Sequence, residues 1–310
     1  MKIMFMGTPE ISAGALSALI ERGHNVTCVI TGEDKPRGRG NVMTPTPTKK
    51  LALEKGIAVY TPKTLKDEAF SKLLAEENPD LICVVAYGKI LPENVIKYPK
   101  YGCINLHVSL LPKYRGAAPM QRAVMDGETE TGVTIMYMDV GLDTGDIIAT
   151  EKFPIGEEDD FETVHDTSLL IGSRLLSDTI YEIEAGRATR IPQDSSLATY
   201  AKKVEKEDCL VDFSLDAKTV SARIRGVTPI PGAFTYLNGK KLKIAKVKSV
   251  SGKGKPGEVI KADGVGAGEI VVACKEGAIR ISEVVPEGKA KMSAGDFVRG
   301  RKIAVGDILG

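Results

Sequence analysis

The sequence predicts an α/β protein of two domains: a doubly wound, mostly parallel sheet (Rossmann-like) followed by a small C-terminal β-barrel (OB-like). Three observations carry that expectation. Strand-like and helix-like segments alternate from residue 2 onward, as in an open α/β sheet. The run 80–86, DLICVVA, is almost continuously apolar, as parallel strands covered on both faces are. After about residue 207 the texture changes to short strands separated by Gly, Asn, Lys and Pro, at the spacing of a small barrel.

Residues 2–6 read as a short buried strand, broken by Gly7-Thr8-Pro9. Pro9 stands where a GxGxxG fingerprint that began at Gly7 needs its second glycine, which argues against a nicotinamide enzyme. Ile11, Leu16, Leu19 and Ile20 mark an amphipathic helix that ends near Gly23. Residues 25–31 are strand-like, and the polar stretch GEDKPRGRGNVMTPTP reads as an unusually long loop. A helix over 48–55, a strand over 58–60, a helix over 66–76 and the apolar strand follow. Residues 102–108 and 131–137 add strands, and 161–185 is a long helix stopped by Gly186. The stretch 187–206 has little periodicity and reads as linker. Strands are expected at 211–213, 233–237, 242–250, 257–261, 269–273 and 278–285, with a helix over 217–225 and a hairpin turn at Asn238-Gly239. The expected division is therefore a domain over 1–189, a linker over 190–206 and a barrel over 207–310.

With 43% apolar and 27% charged residues and a net charge of +1, the chain has the composition of an ordinary folded protein. No run approaches the roughly 20 apolar residues of a membrane span, and the N-terminus lacks the pattern of a signal peptide. A cytoplasmic protein without a membrane partner is expected, and a monomer, since no feature demands an oligomer. The five cysteines are scattered without a CxxC pair, which speaks against a disulfide framework or a zinc site. The near-neutral total hides an asymmetry. Residues 203–310 carry 20 Lys and Arg against 13 Asp and Glu, a net of +7, which leaves −6 for residues 1–202. A basic terminal domain on an acidic body suits a polyanionic partner, although a solvated charged surface would look similar.

Chemistry concentrates in CINLHVSLLPKYRGAAPMQR, residues 103–122. On an extended strand Asn105 and His107 are two apart and share a face. An amide can hydrogen-bond an oxygen that becomes negative, and an imidazole can handle a proton near neutral pH, so the pair suits acyl transfer. A satisfied polar pair at a strand end is the plainer alternative. The segment MDVGLDTGDI, 138–147, holds Asp139, Asp143 and Asp146 among two glycines, a composition for a tight irregular loop. An aspartate there can reach a histidine, raise its basicity and fix its tautomer. The spacing does not match a calcium-binding EF-hand loop. Ser109-Leu110-Leu111-Pro112 leaves the strand at a proline, and its leucines suit either a flat apolar pocket floor or ordinary core packing.

NLHVSLLPKYRGAAPMQR followed by MDVGLDTGDI resembles the paired motif of the folate-dependent formyltransferase family. GTPE at the start, the GRG loop, VVAYGKILP at 84–92 and PGAF at 231–234 resemble the methionyl-tRNA formyltransferases within it, over essentially the whole chain. The resemblance implies that Asn105, His107 and Asp143 are catalytic. It implies that Ser109, Leu110, Leu111 and Pro112, with Tyr87, Gly88, Ile90 and Leu91 on another wall, contact the folate. The implied reaction moves the formyl group of 10-formyltetrahydrofolate to the α-amine of methionyl initiator tRNA and needs no metal. Asn105 and His107 would stabilise the oxygen and Asp143 would orient His107, with the kinetic base left open between the last two. For tRNA, the resemblance implicates Lys35, Arg37 and Arg39 of the 32–47 loop. Charge implicates Lys240, Lys241, Lys243, Lys246 and Lys248, part of a stretch 239–261 holding eight lysines and one acid, Glu258. The rival readings are a relative acting on a sugar nucleotide or purine precursor, and a non-catalytic RNA-binding protein.

Overall fold

The computed structural model describes residues 1–37 and 40–310, and of Arg37 the backbone alone. The chain forms two compact units. One comprises Met1–Gly116, Gly132–Lys152 and Asp166–Tyr200; the other comprises Ala117–Thr131, Phe153–His165 and Ala201–Gly310.

In chain order the elements begin β1 (Ile3–Gly7), α1 (Glu10–Glu21), β2 (Val26–Ile30), β3 (Lys35–Arg37), β4 (Val42–Thr44), α2 (Pro47–Glu54), β5 (Ala58–Tyr60) and α3 (Glu68–Glu77). They continue β6 (Leu81–Val85), α4 (Glu93–Ile96), β7 (Cys103–His107), β8 (Arg115–Gly116), α5 (Pro119–Met125), β9 (Glu130–Tyr137), β10 (Ile147–Pro154) and α6 (Phe161–Glu184). A seven-stranded sheet runs β10-β9-β7-β6-β1-β2-β5. Pairing is parallel from β5 through β7 and turns antiparallel at β9, so the sheet is mostly parallel as expected.

The chain lays β2 and β5 on one side of β1 and then returns to place β6 on the other. The loops after β1 and β6 therefore part at this switch point, where open α/β sheets take their ligands. Gly7 makes the first turn possible. A Cβ there would sit 2.6 Å from Ser12 Cβ and 2.8 Å from the Val85 carbonyl oxygen. Ser12 is fully buried; its hydroxyl donates to Val85 O at 2.6 Å and accepts from the Thr8 N–H at 3.1 Å, tying α1 to both loops. One sheet face buries Met4, Met6, Ile82, Val84 and Cys103 under α3 and α4 residues such as Phe70, Leu74 and Val95. On the other face α6 comes so close that a Cβ on Gly172 would lie 2.9 Å from Leu106. Leu106 thus points to α6, and by strand alternation Asn105 and His107 point away from it.

The second unit carries β11 at its entry (Tyr200–Ala201), then α7 (Ala217–Gly226), β12 (Phe234–Leu237), β13 (Lys240–Val250), β14 (Val259–Asp263), β15 (Glu269–Ala273), β16 (Ala278–Pro286), β17 (Met292–Ser293) and α8 (Ala294–Arg299). Its antiparallel sheet runs β12-β13-β16-β15-β14, with β17 on β16. The last residues close it: Leu309 bridges to Leu237 of β12 and Ile308 to Glu258 beside β14. Closure removes the free edges and leaves an interior of Val247, Val259, Ile270, Val272, Ile279 and Ile281.

Several elements depart from expectation. Residues 211–213 are not a strand. The Asp212 carboxylate accepts from Ser214 N–H at 2.9 Å and turns the chain, leaving isolated bonds from Val211 N–H to Phe234 O at 2.9 Å and from Lys275 N–H to Phe213 O at 3.1 Å in place of a ladder. Part of the long loop is a hairpin, β3 paired antiparallel with β4. The helices α5 and α8 and the edge strand β10 are too short or too mixed in polarity to show periodicity.

Candidate active site

β7 delivers the site. Its register against β6 and β9 places Asn105 opposite Val84 and Met136, and His107 opposite Thr134. The His107 side chain is 6% exposed. Its Nε2 lies 3.0 Å from the Tyr114 carbonyl oxygen. A carbonyl only accepts, so Nε2 carries the hydrogen and Nδ1 keeps its lone pair. Burial first, opposed by the Asp143 carboxylate and the Tyr114 carbonyl, holds the imidazole below its ordinary range and therefore neutral near pH 7. Asn105 is half-buried, and its amide has no side-chain partner among the described residues.

Asp143 arrives from the 138–146 excursion between β9 and β10. That segment leaves the sheet beside β7, where Met138 N–H donates to Cys103 O at 2.8 Å, and returns where Tyr137 N–H meets Asp146 O at 2.9 Å. Two glycines allow the return. A Cβ on Gly145 would collide with the Tyr137 carbonyl oxygen, and one on Gly141 with the Thr144 hydroxyl. Asp143 has φ 53°, in the left-handed region. Its Oδ2 lies 3.8 Å from His107 Nδ1 and accepts from Gly116 N–H at 2.7 Å. The carboxylate thus acts on the imidazole through space, while the tautomer is set by the Tyr114 carbonyl. Neither Tyr114 nor Gly116 was legible as a site residue, because both contribute backbone groups, which no side-chain motif reveals.

The SLLP segment is anchored to β9. Buried Thr134 donates its hydroxyl to Ser109 O at 2.7 Å and accepts from Leu111 N–H at 3.3 Å, while Ser109 donates to Lys113 O at 2.7 Å. Leu111 is buried, Leu110 packs against Gly132, and Pro112 is half-buried after a cis peptide bond. The 86–91 segment divides its roles. Tyr87 and Leu91 turn into the core, whereas Ile90 is 88% exposed. Among the described residues the backbone N–H groups of Gly88 and Ile90 donate no hydrogen bond, so they are open to a ligand. A cavity of about 670 Å³ lies by the first residue of β7, beside Cys103, Met138 and Arg190, and His107 takes no part in it.

Residues 1–180 match the family model described as formyl transferase, and residues 203–302 match that of the formyl transferase C-terminal domain. The chain is 46% identical over 310 residues to the methionyl-tRNA formyltransferase of Geotalea uraniireducens (strain Rf4), spanning 100% of this chain and 98% of that one. It is likewise 46% identical over 313 residues to that of Pelotomaculum thermopropionicum, spanning 100% and 99%. The chain belongs to the methionyl-tRNA formyltransferase family. Among solved structures it is similar to the N-formyltransferase of Helicobacter canadensis in complex with folinic acid and dTDP-3-aminofucose. That match has TM-score 0.68 and 18% identity, over 91% of this chain and 98% of that one. It is also similar to HypX of Aquifex aeolicus, with TM-score 0.66 and 22% identity over 97% of this chain and 48% of that one. These two likenesses concern the fold.

The basic residues that the family resemblance and the charge pattern single out are differently placed. Lys35 is exposed at the start of the β3–β4 hairpin, next to Asp34, which pairs with Lys49 at 2.8 Å. Exposed Val42 and Met43 form the other arm. Arg39 and the Arg37 side chain lie outside the described residues. On β13 the buried positions Leu242, Ile244 and Val247 change parity at a bulge between Ile244 and Val247. Two compensating register shifts, with three residues passing on each strand, place Lys241, Lys243, Lys246 and Lys248 all on the outer face. Lys240 and Lys246 are exposed, and Lys241 lies 3.7 Å from the Phe234 ring centre. Lys243 donates to Pro231 O at 3.2 Å, and Lys248 pairs with Glu158 at 2.6 Å. Among the described residues no group of three or more His, Cys, Asp or Glu is placed to hold a metal, and no helix is long and apolar enough to cross a membrane.

Proposed function

We propose that this chain transfers the formyl group of 10-formyltetrahydrofolate to the α-amine of methionyl initiator tRNA, with Asn105, His107 and Asp143 as its catalytic residues. The observation that carries the assignment is the convergence, at the end of β7, of a free amide, a neutral imidazole and a carboxylate. Full-length relatives and the basic outer face of β13 support methionyl-tRNA as the acceptor over a small amine. The open N–H groups of Gly88 and Ile90, together with the buried SLLP turn, suit a planar heterocycle rich in acceptors. The donor brings a formyl group already activated on nitrogen.

Asn105 donates its amide N–H to the formyl oxygen as negative charge builds there. A preorganised donor of this kind is worth about 100–1,000-fold in rate. His107 accepts the amine's proton at Nδ1, the nitrogen left free by the Tyr114 contact. Asp143, 3.8 Å away, stabilises the imidazolium that results and needs no proton itself. As the tetrahedral intermediate collapses, the bond from the formyl carbon to the carrier nitrogen breaks and the imidazolium returns its proton to that leaving nitrogen. The low basicity that burial imposes on His107 keeps it in the receptive form at neutral pH. Exposed lysines of β13 and the Lys35 hairpin hold the tRNA backbone by charge. Every group the reaction uses lies on one chain, so the proposed working unit is a cytoplasmic monomer.

The test is single turnover with formylated tetrahydrofolate and methionyl initiator tRNA, with elongator tRNA as control, for Asn105→Ala, His107→Ala and Asp143→Ala. All three variants should fold and lose turnover by at least about 100-fold. Near-normal turnover in any of them removes that residue from the assignment.

A further inference from the structure

Residues 187–200 leave α6 with little regular structure, yet two of their side chains reach the backbone that carries the catalytic groups. Gln193 Nε2 donates to the carbonyl oxygens of Asp143 at 2.9 Å and Gly145 at 2.7 Å. Its Oε1 accepts from Arg115 Nε at 3.2 Å and Nη2 at 2.7 Å. Arg115 is 2% exposed, so this guanidinium is a fixed anchor rather than a mobile surface charge. Six residues on, the Thr199 hydroxyl accepts from Tyr114 N–H at 2.8 Å, and the Thr199 carbonyl accepts from Arg115 N–H at 2.9 Å.

These bonds converge on strained backbone. Asp143 has φ 53° and Tyr114 φ 59°, left-handed conformations that a non-glycine residue keeps only where its surroundings over-determine it. Tyr114 supplies the carbonyl that fixes the His107 tautomer, and Asp143 supplies the carboxylate facing Nδ1. We infer that Gln193 and Thr199 are positioning residues, which clamp the Asp143 loop and the Tyr114 carbonyl and so set the geometry between His107 and Asp143. The inference rests on the catalytic reading of those two residues given above. An amide is the group this position requires. It offers two hydrogens to two carbonyls and one oxygen to a guanidinium, and the guanidinium polarises the amide into a stronger donor. No sequence motif announces this, because the segment reads as linker and its partners are backbone carbonyls 48 and 50 residues away.

Gln193→Glu separates positioning from anchoring. The carboxylate keeps a partner for Arg115 but turns bare oxygens toward two carbonyl oxygens, so the loop is pushed off. A residue that merely anchored Arg115 would tolerate the change. Expected is a fall in kcat of about 100-fold, the cost of roughly 1 Å of misplacement. KM should hold for both substrates, and the acid limb of the kcat profile should move to lower pH, because an imidazolium without its carboxylate forms less readily. Thr199→Val, which removes the acceptor for Tyr114 N–H, should lower kcat in the same way, and Thr199→Ser should restore it. Should Gln193→Glu fail to fold, the Thr199 pair carries the test. Asp143→Ala is run in parallel. If it abolishes turnover while folded Gln193→Glu and Thr199→Val keep the native kcat and pH limb, the positioning role is wrong and the catalytic reading stands. If Asp143→Ala itself turns over normally, the catalytic reading has failed first.

Discussion

Gly145→Ala tests how finely the site depends on the 138–146 loop. A methyl at this position meets the Tyr137 carbonyl oxygen, a backbone atom held in the sheet that cannot rotate away. Relief even to the shortest tolerated contact of 3.0 Å requires the loop to move by over about 1 Å. Asp143 lies two residues away, and the bond from Tyr137 N–H to Asp146 O at 2.9 Å spans the same neck, so the carboxylate moves with it. A displacement of that size costs roughly 100-fold in kcat, which converts to about 2.7 kcal/mol of barrier. Gly141→Ala is the internal comparison. Its methyl meets the Thr144 hydroxyl, a side chain that can turn aside at the cost of its 2.6 Å bond to Asp139. That variant should lose less than about tenfold, since one exposed hydrogen bond is worth about 1 kcal/mol. The assay is single-turnover formyl transfer beside a thermal melt. Equal kinetics for the two alanine variants, both folded, would refute the claim that backbone contact at Gly145 places Asp143.

Three further outcomes are expected. Burial lowers the His107 basicity in the fold from an ordinary value of 6.5, so the unfolded chain binds that proton first as pH falls. Its stabilising contribution is complete above 6.5 and erodes as pH falls through the lower folded-state value. The melting temperature of folded His107→Gln should thus drop less between pH 7.5 and pH 5.5 than that of the parent, and identical drops would exclude His107 as the source. Thr134→Val leaves the buried Ser109 carbonyl and Leu111 N–H without their partner. It should cost about 1–3 kcal/mol in denaturant unfolding and raise KM for the folate, and an unchanged KM would detach the SLLP turn from the folate wall. Reversing Lys241, Lys243 and Lys246 to Glu should weaken tRNA binding and flatten its salt dependence by roughly 0.7–0.9 in log–log slope per lost phosphate contact. Adding Lys248→Glu should contribute less, since that lysine is already neutralised by Glu158.

Much of the architecture was legible because burial imposes periodicity. DLICVVA could only be an inner strand, and it is β6 at the centre of the sheet. The lysine-spaced strand of the barrel is β13, although its bulge, which keeps the lysines outward, follows from pairing with β16 and from nothing local. Val211–Phe213 looked like a strand because two of its three residues are apolar, and both are indeed buried. Asp212 nevertheless caps the following turn, and a local hydrogen bond outweighed strand propensity. The hairpin in the 32–47 loop and the edge strand β10 have too little buried face to print a pattern.

By itself the sequence determined which side chains could do the chemistry: alternation set Asn105 and His107 on one face of a strand, and glycines marked a loop able to bring an aspartate to them. Only the tertiary structure decided how those groups are held. The carbonyl that sets the His107 tautomer comes from Tyr114, seven residues on, while the Gly116 N–H on Asp143 and the Gln193 amide on the Asp143 and Gly145 carbonyls join segments far apart in the chain; each acts through backbone atoms, which every residue possesses and no residue type reveals. Side-chain chemistry is written in residue identity. Distances between backbone groups exist only once the chain has folded.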